Sequence, residues 1–171
     1  MNHRTELPPG LPAWTKHITF DAPTPMFSIR PATLADSSAL AALYTELGYP
    51  SSAAEMHARL ARVITDPAHT LLVAELTKPT GVVGAMHVGL YPILESDNAA
   101  QILGVVVSAT QQRSGIGRSL MERAERWARE RHCSTIFLRT NELRTDANGF
   151  YARLGYLNDR TQFVFQKKLP H

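Results

Sequence analysis

The stretch Gln111-Gln112-Arg113-Ser114-Gly115-Ile116-Gly117-Arg118 lies between an apolar run ending at Val107 and an amphipathic run beginning near Gly115. Its residue types suit the capture of an anion. Glycines let a backbone turn tightly, and the first N–H groups of a helix carry no intrahelical partner and a partial positive charge. Arg113 and Arg118 bring charge-assisted donors to the same place. A pyrophosphate would match that combination, although Gly115 and Gly117 would also serve simply to shape a strand-to-helix turn. Two familiar phosphate loops are excluded. Position 120 is Leu, which removes the third glycine of G-x-G-x-x-G, and no Gly-Lys-Ser/Thr follows for a Walker loop.

The elements that must hold this loop follow from hydrophobic period. Phe27-Ser28-Ile29-Arg30 reads as a short strand, and Thr33-x-x-Asp36 has capping-box spacing ahead of a helix with Leu40, Leu43, Tyr44 and Leu47 on one face. Gly48-Tyr49-Pro50 ends that helix, and Ser52-x-x-Glu55 opens another on which Met56, Leu60, Val63 and Ile64 recur. Thr70 to Leu76 and Val82 to Leu90 form a hairpin about Lys78-Pro79-Thr80-Gly81, and Ile102 to Val107 is a further apolar strand. Ile116, Leu120, Ala124, Trp127 and Ala128 line a helix to about Arg131, followed by a strand from Thr135 to Arg139. A strand-helix-strand unit of this length implies a parallel crossover. The last helix begins near Thr145, carries Phe150, Tyr151 and Leu154, and stops at Gly155, which suits a left-handed C′ position. Thr161 to Lys168 is expected as a closing strand. The predicted order is β-α-α-β-β-β-α-β-α-β. This is an α/β fold with a mixed, mainly antiparallel sheet, a parallel β-α-β unit and helices on both faces.

Gln112-Arg113-Ser114-Gly115-Ile116-Gly117 resembles the acetyl-CoA loop of the Gcn5-related N-acetyltransferase (GNAT) family, Gln/Arg-x-x-Gly-x-Gly/Ala after an apolar strand. Ala147-Asn148-Gly149-Phe150-Tyr151-Ala152-Arg153-Leu154-Gly155-Tyr156 resembles a second signature of that family, an Ala followed by an aromatic pair and then Gly-aromatic at the helix end. The resemblance covers about Ile29 to Leu169 and implies the acyl-CoA N-acyltransferase fold, acetyl-CoA as acetyl donor and an amine as acceptor. It implies that the backbone of Val105, Val106 and Val107 pairs with the pantetheine arm. Gln112, Arg113, Ser114, Gly115, Ile116, Gly117 and Arg118 would hold the pyrophosphate. Tyr151 stands where the family places the tyrosine that protonates the departing thiolate, a task for a positioned phenol; its alternative is a core aromatic. Arg144 replaces an Asn common in relatives, so Asn148 or Asn141 would supply that hydrogen bond to the cofactor.

Gln101 occupies a position where several members carry a glutamate base. An amide cannot take a proton from an ammonium. Deprotonation would then fall to a water chain, to Glu95, Asp97 or Glu142, or to His87 on the hairpin. His87, Gln101 and Tyr49 are assigned to the acceptor side, with Tyr49 and Tyr91 placed either to stack on an acceptor or to cap the core.

Five of the eleven prolines fall in residues 1–25, which read as an irregular arm before a single domain over residues 26–171. The net charge of +3 carries no long run of one sign, so a nucleic-acid partner is not indicated. Cys133 is the only cysteine, which rules out an internal disulfide and a Cys cluster for metal. No stretch reaches the ~20 apolar residues of a membrane helix, and cytoplasmic location is the default expectation. The favoured function is N-acetylation of a small-molecule amine, with a peptide or protein amine or an acyl-CoA sensor as alternatives. The resemblance also allows a homodimer.

Overall fold

A computed structural model describes residues 26–95, 97–140 and 145–169, with Thr145 and Asp146 described by backbone alone. The expected arm over residues 1–25 lies outside these, as do Asn141, Glu142 and Arg144. Apolar runs, most of them flanked by polar or turn-forming residues, form five strands: β1 (Phe27–Pro31), β2 (His69–Thr77), β3 (Thr80–Tyr91), β4 (Ala99–Val107) and β5 (Thr135–Leu138). They form one sheet in sequence order, antiparallel from β1 to β4, with β5 parallel to β4. The helices are α1 (Ser37–Glu46), α2 (Ala53–Ile64), α3 (Ile116–Glu130) and α4 (Thr145–Arg153).

Each sheet face is sealed by the helices whose apolar stripe matches it. Leu72, Ala74, Met86, Val88, Ala100 and Ile102 meet Ile116, Leu120, Met121, Ala124 and Trp127 of α3, and Phe150 and Tyr151 of α4, with Leu154 just after it, pack against that cluster. Val73, Ala85 and Val106 meet Leu40 and Leu43 of α1 and Met56 and Leu60 of α2 on the other face. This alternation is the period-2 rule of a strand buried on both sides. Fully burying a side chain such as Leu40 or Leu120 contributes about 1.5–3 kcal/mol.

α1 is tied to the sheet by charge. The Arg30 guanidinium on β1 grips Asp36 through both terminal nitrogens at 2.8 Å, and its Nε donates to Glu75 on β2 at 2.8 Å. The Asp36 carboxylate also accepts from the Thr33 backbone at 2.7 Å. The expected capping box is therefore present, but it opens a 3-10 turn over Leu34–Asp36 before α1 begins. Ser52 and Glu55 form the expected box at the start of α2.

Two features shape the β5 side of the sheet. His87 pairs with Gly104 and Val88 with Ile102, so Leu103 is an extra residue that bulges from β4. β5 pairs only with Ala99 to Ile102. From Leu103 to Val107, the edge of β4 that faces away from β3 has no strand partner among the described residues. One expectation fails: residues 161–168 form no strand, and Phe163, Val164 and Phe165 are 87%, 88% and 93% exposed. Three consecutive apolar residues would need burial on both faces, and the four-residue β5 at the sheet margin offers them no such place.

Candidate functional site

The loop between β4 and α3 begins with two anchors. Ser108 donates its N–H to Val83 of β3 at 2.8 Å, and Glu46 at the end of α1 accepts from the Ala109 N–H at 3.0 Å and the Ser108 hydroxyl at 3.3 Å. The chain then turns through Arg113 at φ 63°, with the Ser114 hydroxyl bonded to the Gln111 carbonyl at 2.6 Å. Gly115 caps α3 at φ 87°, a left-handed conformation that other residues adopt only with strain. The first backbone bond of the helix runs from Ser119 N–H to Gly115 carbonyl. The N–H groups of Ile116, Gly117 and Arg118 are thus without a backbone acceptor among the described residues, at the positive end of a fifteen-residue helix.

Gln112, Arg113, Ser114 and Arg118 are exposed around these N–H groups, whereas the Ile116 side chain is buried in the core and leaves only its amide to the loop. A Cβ on Gly117 would lie 3.3 Å from the Phe150 ring. Its absence lets Phe150 of α4 settle onto the first turn of α3. The Tyr151 ring meets Phe150 edge-on at 5.3 Å and Tyr156 at 6.2 Å. Asn148 is exposed on α4. Val106 is buried under α1 and α2, so residues 105–107 can offer a ligand mainly their backbone edge.

Polar side chains gather on the α1–α2 face of the sheet around the split in β4. Leu71 belongs to the α1–α2 cluster and pairs with His87, which puts His87 on that face. His87 Nε2 shares a hydrogen bond of 3.0 Å with His69 Nδ1, and His69 Nε2 lies 3.9 Å from an Asp66 carboxylate oxygen. Burial, and then the neighbouring His69, pulls the His87 pKa down to about 4. The buried Tyr44 hydroxyl reaches within 3.3 Å of where a Cβ on Gly104 would sit, and burial raises its pKa. Gln101 does not stand alone: its carbonyl accepts from Arg139 at 3.1 Å, and Arg139 also donates to the Tyr91 hydroxyl at 3.3 Å.

The loop and α4 meet at the first turn of α3, next to the Val107 end of the unpaired β4 edge. His87, Gln101 and Tyr91 gather on the α1–α2 face around the split in β4, whereas Tyr49 is 63% exposed at the end of α1 and does not cap the core. Sequence reasoning missed His69, Tyr44 and Arg139. His69 lies just before the strand read from Thr70, Tyr44 reads as a member of an amphipathic helix, and Arg139 as the polar end of a strand. The pairing of β2 with β3 sets His69 beside His87, the pairing of β4 with β5 sets Arg139 beside Gln101, and the packing of α1 on the sheet sets Tyr44 over Gly104.

The family model for the acetyltransferase (GNAT) family matches residues 36–156. Among solved structures, a transcriptional regulator from Bacillus halodurans C-125 is 24% identical with a TM-score of 0.75, over 82% of this chain and 99% of that one. Aminoglycoside 6'-N-acetyltransferase AAC(6')-Ih from Acinetobacter baumannii is 18% identical with a TM-score of 0.73, over 84% and 99%. Glucosamine-6-phosphate N-acetyltransferase from Arabidopsis thaliana is 17% identical with a TM-score of 0.72, over 83% and 99%. No curated protein matches the chain in sequence.

Proposed function

Because the chain belongs to the GNAT family of acetyltransferases, we propose that it moves an acetyl group from acetyl-CoA to a primary amine of a small molecule. The observation that carries this is the continuity of two binding features. An unpartnered β4 edge runs from the Leu103 bulge to Val107 and leads directly into a loop ending in the N–H groups of residues 116–118. That edge matches an extended amide-bearing arm, and those N–H groups, flanked by Arg113 and Arg118, match a pyrophosphate. Similar folds in an aminoglycoside and an amino-sugar phosphate N-acetyltransferase favour a small amine over a protein.

Acetyl-CoA supplies an acetyl group activated as a thioester. Residues 105–107 bind and align the arm through backbone hydrogen bonds, and residues 112–118 hold the phosphates. Backbone N–H groups near the bulge polarise the carbonyl, and Tyr151 gives its phenolic proton to the departing sulfur. For the amine, Gln101 cannot accept a proton, and burial beside His69 makes His87 a weak base. In the proposed transfer the acceptor reacts from its neutral fraction, with its proton passing to water.

Gly117→Glu places a carboxylate among the N–H groups that would receive the pyrophosphate. Calorimetric binding of CoA should weaken by more than about tenfold, roughly 1.4 kcal/mol, while the fold is retained. Unchanged CoA affinity would remove the loop from the binding site.

A further inference from the structure

Acetyl transfer as described leaves Arg139 without a task. Leu138 pairs with Ile102, so Arg139 stands level with the bulged Leu103, at the point where β4 and β5 part. Its guanidinium donates to Gln101 Oε1 at 3.1 Å, Tyr91 Oη at 3.3 Å and Gln162 Oε1 at 3.2 Å. It also lies over the Tyr91 and Phe137 rings, with centroids at 5.4 and 5.3 Å. Every one of these partners is neutral. Among the described residues no carboxylate lies within ion-pair distance of it.

A guanidinium carries five N–H donors. The bonds through Nε, Nη1 and Nη2 leave one hydrogen on each terminal nitrogen for an anionic oxygen group. Two amide side chains and two aromatic rings hold the group in one orientation, so less rotamer freedom is lost when a ligand binds. An open surface depression lies beside it, lined by Arg139, Gln162, Phe163, Val164 and Phe165. Its walls are mainly apolar and Arg139 is the sole charged residue among those that line it. The residue at 101 also fits: a glutamate there would neutralise the guanidinium, and the glutamine leaves its charge available.

We infer that Arg139 receives a carboxylate or phosphate group of the acceptor, so that the substrates are amines that also carry an acid, joined by an apolar segment. The naming of that ligand as the acceptor rests on the proposed acetyl transfer; the anion site itself does not.

The test uses a matched series: an ω-amino carboxylate, the ω-aminoalkyl phosphate of the same chain length, and the ω-amino carboxamide. With acetyl-CoA, kcat/KM should favour one acid over the carboxamide by about tenfold. Which acid wins distinguishes a carboxylate from a phosphate ligand. Arg139→Gln should erase the preference by lowering the rates of the acids towards that of the carboxamide. Equal rates for all three amines, or an equal fall for all three in Arg139→Gln, would overturn the inference and reduce Arg139 to a tether for the C-terminal segment. A second readout is independent of turnover: the Arg139 Nε–H resonance in the CoA-loaded protein should shift and saturate with an acid and stay fixed with the carboxamide. That shift without any turnover would uphold the anion site and contradict acetyl transfer, and no shift would overturn the site.

Discussion

His87 shows how one side chain's surroundings set its chemistry. The unfolded chain holds this histidine near its ordinary pKa of 6.5, whereas burial and His69 lower it to about 4 in the fold. As pH falls, the unfolded chain takes up the proton first, so His87 weakens the fold progressively from about 6.5 down to about 4 and has no effect above that window. The groups facing it are His69 on β2 and, through His69, Asp66. Melting temperature should therefore drop more steeply between pH 7 and pH 4.5 in the native sequence than in His87→Gln; parallel curves would mean that the ring is solvated. The histidine was readable as a polar residue on a hairpin strand. Its hydrogen bond to His69 was not, because that depends on the β2–β3 register, which residue pattern alone does not fix. Gln101 was likewise legible as a missing carboxylate, and its bond to Arg139 was not.

Local signals gave most of the elements. Capping boxes at Thr33 and Ser52, the apolar stripe from Ile116 to Ala128 and the left-handed Gly155 all reappear in the structure, because each depends on neighbours within a turn or two of chain. The start of α1 was missed by one turn for a tertiary reason: Asp36, read as a cap, is also drawn to Arg30, which lies 45 residues from the Glu75 that completes the cluster. Arg30 and the Thr33 N–H hold the Asp36 carboxyl below the usual carboxylate range, against the opposing pull of burial. Its contribution is present at neutral pH and is lost as pH falls through that lowered value. Asp36→Asn should cost about 1–2 kcal/mol, since it removes the bidentate partner of a partly exposed guanidinium that keeps its ion pair with Glu75. Urea unfolding at pH 7 would measure this, and a change under about 0.5 kcal/mol would make the contact a surface ion pair in energy.

For the molecule as a whole, sheet class and direction followed from the order of elements, with the β-α-β crossover making β4 and β5 parallel. The C-terminal segment was the failure. Thr161 to Lys168 has strand-forming residues, but propensity without a ladder and a face to bury does not make a strand. Its backbone amides should exchange with solvent far faster than those of β3, which is paired on both sides. Slow exchange at residues 162–166 would mean that the segment pairs with a strand after all. The most direct measurement on the protein as a whole is CoA thiol release from acetyl-CoA, run with and without primary amines and with Tyr151→Phe in parallel. Release should require the amine, rise with pH as more of the amine is neutral, fall about 100-fold in Tyr151→Phe, and yield an acetylated amine by mass spectrometry. Thiol release that is indifferent to amine and to Tyr151, with CoA still bound, would contradict transfer to an amine at this site.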